Sequence, residues 1–70
     1  MDTLLAIAKI RKWTTVEVGD HITFLKDHLK MVVWFHRKGS PVKAALSKFD
    51  QTPWVIRENV MNRCVEFLGH

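Results

Sequence analysis

Residues 20–38, DHITFLKDHLKMVVWFHRK, decide how the chain is built. Wound at about 100° per residue, this stretch puts Ile22, Leu25, Leu29, Val32, Val33 and His36 on one face. Phe24, Met31 and Phe35 form a second apolar face beside it, bridged by His21 and His28. An ordinary surface helix buries one stripe, whereas an arc this wide needs partners on two sides. A bundle's central helix, or a helix shared in a dimer, meets that need. Solvent is left a strip of Thr23, Lys26, Asp27, Lys30 and Arg37, with Trp34 at its border. The expectation is an all-α fold, a small bundle of three to four helices around a central helix at about 20–38, associating as a homodimer.

Towards the N-terminus, residues 1–13 read as a short helix lined by Ala6, Ile7, Ile10 and Trp13. Lys9, Arg11 and Lys12 load its last turn, where cations suit the helix dipole. Thr14-Thr15-Val16-Glu17 has capping-box spacing and could open a helical turn that ends at Gly19. Val16 and Val18 also alternate with Glu17, which is the competing, extended reading; the helical turn is preferred. Asp20 then caps the central helix, which runs out at Arg37-Lys38-Gly39.

Towards the C-terminus, Ser40-Pro41 and Thr52-Pro53 each place a hydroxyl at an N-cap and a proline at the first helical position. They predict helices at 41–49 and 53–68, joined by the short link Asp50-Gln51-Thr52. On the second of these, Ile56, Val60, Met61, Cys64, Phe67 and Leu68 form the core stripe. Glu58, Asn59, Asn62, Arg63 and Glu66 face water, and Arg57 packs its stem while its head reaches out. A short helix, a tight turn and a longer helix make a helix-turn-helix-like C-terminal half, with Arg57 and Asn59 suited to guanine and adenine edges. Glu58 would repel phosphates, and the turn lacks the small residue that this motif wants.

Seventy residues make one domain, 1–70, whose stability is marginal without dense packing or self-association. Cys64 is the single cysteine, so no intrachain disulfide helps. Eleven Lys and Arg against seven Asp and Glu give a net charge of +4, which favours a nucleic-acid or other acidic partner. The uncharged runs fall short of a membrane span, and Asp2 and Lys9 to Lys12 are out of place in a signal peptide, so an intracellular protein is expected. His21, His28 and His36 recur at intervals of seven and eight, where a helical metal pair wants three or four. No metal, cofactor or catalytic constellation is expected, and the chain reads as a non-enzyme.

Two functions remain. The first is a nucleic-acid-binding regulator that uses Lys26, Lys30 and Arg37, with Arg57 and Arg63, on phosphates and Trp34 on bases. The second is an adaptor or inhibitor docking a protein partner. Three tryptophans, four phenylalanines and three methionines exceed what a modest core needs, and interfaces favour such residues.

Overall fold

The computed structural model describes residues 2–36, 40–48 and 51–69, and it is not an all-α bundle. Helix α1 (Asp2–Ile10) leads into strands β1 (Thr14–Val18), β2 (His21–Lys26), β3 (Leu29–Phe35), β4 (Pro41–Ser47) and β5 (Trp54–Ile56), and α2 (Val60–Leu68) ends the order. The strands form one antiparallel sheet in the order β1-β2-β3-β4-β5, each paired with its sequence neighbour.

The expected central helix is a β-hairpin. Lys26 pairs with Leu29, leaving Asp27-His28 as a two-residue loop, and His21 pairs with Trp34 at the far end. Asp27 takes a φ of 52°, a positive value at the first loop position as a type II′ hairpin turn requires. Residues 21–24 and 31–35 are mostly β-branched or aromatic, types that fit a pleated surface. Alternation then separates the two faces: Ile22, Phe24, Met31 and Val33 are buried, while Thr23, Leu25 and Val32 look the other way. The wide apolar arc was thus two faces of a sheet projected onto one helical wheel. The expected helix end at Lys38-Gly39 lies outside the described residues.

The remaining helical expectations divide. Residues 14–18 take the extended alternative, closing a two-residue hairpin loop at Gly19 (φ 56°) and Asp20. Pro41 opens β4 and Pro53 immediately precedes β5, so neither is a helix N1. A fixed φ near −65° and a missing N–H suit the start of a strand as well as the start of a helix. The helix-turn-helix half is therefore replaced by two strands and a nine-residue α2. Its expected turn includes Phe49 and Asp50, outside the described residues.

Both helices contribute to one core with the inner face of the sheet. Leu4 and Ala8 of α1 and Val60, Cys64, Phe67 and Leu68 of α2 join Ile22, Phe24, Met31, Val33, Ala44 and Leu46. The stripe expected of the last helix is found where the helix exists: Val60, Cys64, Phe67 and Leu68 are buried, and Asn62, Arg63 and Glu66 are exposed. The phase expected of the first helix is not. Leu4 is inaccessible, whereas Ile10 is 77% exposed. Trp13 ties the two ends of the chain together. Its ring is buried against Phe67 at 5.9 Å, and its indole N–H donates to the Leu68 carbonyl at 3.0 Å. One bond thereby satisfies the indole and a carbonyl at the end of α2.

Candidate nucleic-acid interface

With both described helices against the inner face, no described helix lies over the outer face of the sheet. Strand register arranges it in rows, because directly paired residues point to the same side. Val16, Thr23, Val32, Ala45 and Val55 cross its middle; Val18, His21, Trp34 and Lys43 form one flank; Thr14, Leu25, Lys30 and Ser47 form the other. None of these strand residues is acidic. Two lysines and a histidine thus stand on an otherwise neutral face.

Trp34 is the organised part of this face. The Lys43 ammonium lies 4.9 Å from the indole centroid, a cation–π contact. On the other side the His21 ring is tilted by 37° at 5.9 Å, and its Nδ1 lies 3.3 Å from Asp20 Oδ1. Asp20 is the acidic group bordering this end. At the other flank, a depression of about 140 Å³ is lined by Lys30, Val32, Ala45, Ser47 and Pro53. The Ser47 hydroxyl donates to the Lys30 carbonyl at 3.5 Å, across β3 and β4.

Only part of the expected site is brought together. Lys30 and Trp34, four residues apart on β3, share the outer face. Lys26 belongs to the inner side of β2, opposite Leu29, with its ammonium 5.7 Å from the Trp13 ring centroid. A strand of period two sends Lys26 and Lys30 to opposite faces when a hairpin turn intervenes, although a helix would have stacked them. Arg57 is exposed just after β5. Arg63 lies on α2 beside a depression shared with Lys48, Trp54 and Glu66, away from the outer face. Arg37 lies outside the described residues.

Sequence reasoning missed Lys43 and His21. Lys43 falls in the stretch expected to be a helix, and residues 42–47 contain a single charged residue and no alternation of charge that would have marked a strand face. His28 and His36, which helical spacing places in the apolar arc, are both exposed. Cys64 is inaccessible, and burial pushes its thiol up from 9.0 to about 11. Among the described residues, no three His, Cys, Asp or Glu side chains come together as metal ligands could. No described helix is long and apolar enough to cross a membrane. No family model matches this chain, and neither a curated protein nor a solved structure is detectably similar to it.

Proposed function

We propose that the protein binds nucleic acid, laying a single strand across the open face of its sheet. The observation that carries this reading is the grouping of Trp34, Lys43, His21 and Lys30 on one face whose strand residues include no carboxylate. Cations draw in the phosphate backbone, and the partly buried indole keeps some ring surface on which a base can stack. A sheet presents such groups on a broad surface, which suits unpaired bases better than a closed duplex. The +4 net charge acts in the same direction.

Fluorescence titration with single-stranded and duplex oligonucleotides at two salt concentrations tests the proposal. With Lys30 and Lys43 each neutralising one phosphate, the log–log salt slope on a single strand should be about −1.4. Lys30→Ala should reduce that slope by about 0.7. Trp34→Ala should cost about 1–3 kcal/mol on single strands. Affinity weaker than about 100 μM at low salt would overturn the reading.

A protein partner is the second reading, and the apolar middle row favours it. Val16 and Val55 are 45% and 53% exposed. Binding through that row would be insensitive to salt and weakened by Val55→Lys, the reverse of the behaviour expected for nucleic acid.

A further inference from the structure

The two edges of the sheet are built differently. The β5 edge has three residues directly after Pro53, a short edge beside a residue without an N–H. The β1 edge has five residues, Thr14-Thr15-Val16-Glu17-Val18, all exposed, with no proline, lysine or register shift. No described strand pairs with its far side. We propose that β1 is a self-pairing edge: two copies of the chain join antiparallel through it, centred on Val16, into one continuous sheet. This inference is independent of the nucleic-acid reading.

Backbone geometry selects that register. In a two-residue hairpin the residues flanking the loop exchange both hydrogen bonds, so Val18 turns its N–H and C=O toward His21. By alternation Val16 and Thr14 also turn inward, and Thr15 and Glu17 direct theirs to the free edge. Pairing centred on Val16 sets Thr15 opposite Glu17 of the second copy, and Glu17 opposite its Thr15. Every outward group of these residues then finds a partner. A shift one way sets Glu17 against Glu17, a repulsive like-charge pair. A shift the other way sets Glu17 against Trp13, whose amide already donates to the Ala8 carbonyl at 2.8 Å. The Val16-centred register avoids both faults. It also places Val16 against Val16, and Val18 against Thr14, on the outer face, at the close spacing of cross-strand pairs.

The arrangement has a two-fold axis, so it closes at the dimer. Sedimentation velocity on the 70-residue chain from about 1 μM to about 1 mM should show a monomer–dimer equilibrium. Thr15→Pro removes an outward N–H while leaving the β1–β2 hydrogen bonds in place, because position 15 does not donate to β2. Val16→Lys sets two ammonium groups against each other at an already exposed position, and it carries the test if the proline variant alters the circular dichroism of the fold. Each substitution should weaken dimerisation at least tenfold. A chain monomeric throughout, assembly beyond a dimer, or a dimer whose affinity changes less than about twofold in a folded variant would overturn the proposal.

Discussion

Trp13 and Cys64 show how single buried residues hold a chain this short together. The indole of Trp13 stands where α1 gives way to β1 and reaches the Leu68 carbonyl at the end of α2. Trp13→Phe keeps an aromatic ring but leaves the Leu68 carbonyl without this donor. It should destabilise the fold by about 1–3 kcal/mol, read as a lower urea midpoint at unchanged slope. Cys64 acts through its neutrality. Its folded pKa of about 11 exceeds the ordinary 9.0, so the folded state holds the thiol proton more tightly than the unfolded chain does. The corresponding stability is present in full below pH 9 and is lost as pH rises through about 11. Between those values the wild type should lose roughly 2–3 kcal/mol relative to Cys64→Ala, which has no thiol to ionise. Urea titrations of both proteins at pH 8 and about pH 11 give the comparison. Below pH 9 the thiol should react with a disulfide reagent only as fast as the domain opens.

At the level of elements, neighbouring valines separate the two readings of residues 20–38. On a helical wheel Val32 and Val33 both belong to the buried face. In the sheet Val33 is inaccessible and Val32 looks out across the open face. Threonine matches valine in shape and adds a hydroxyl, so Val33→Thr should cost about 1–3 kcal/mol and Val32→Thr less than about 0.5. Equal costs would contradict the alternation. The turn between β2 and β3 offers a complementary test. Asp27 holds a positive φ that glycine adopts without a Cβ penalty, so Asp27→Gly should raise stability by about 1 kcal/mol in thermal unfolding. The misreading has a physical origin. Ile22, Leu25, Leu29 and Val32 meet helical spacing by coincidence, since the two intervening turn residues shift the phase between two strands. The β-branched and aromatic density of residues 31–35 was the better guide. Of the helix expected at 53–68 only Val60–Leu68 is helical, and that part was legible because it has a single buried stripe and a single wet face. Of the expected site, Lys30 and Trp34 could be grouped correctly because four residues return to one face in a strand as they nearly do in a helix. Lys26 could not, because a turn separates it from them.

At the scale of the whole molecule, the division of labour between the two sheet faces explains why so short a chain needs both helices. The five strands alone would expose Ile22, Phe24, Met31, Val33 and Leu46 on the inner side, in addition to the uncovered outer side. Helix α2 supplies four of the buried residues and the acceptor for Trp13, while α1 supplies Leu4 and Ala8. Neither contribution can be replaced by the sheet, whose own side chains stand on a pleat and cannot fold back over it. Burial of an aliphatic or aromatic side chain is worth about 1.5–3 kcal/mol, so losing the buried residues of α2 removes an amount comparable with a small domain's typical margin of about 5–10 kcal/mol. A chain truncated after Arg57 should therefore show no cooperative urea transition and should bind a hydrophobic dye. A sigmoidal transition from that truncated chain would mean that the sheet is stable without its cover, contrary to a core shared between sheet and helices. Single polar substitutions on the outer side, such as Val55→Thr, should leave the transition of the intact chain in place, because Val55 is exposed and stands outside the core.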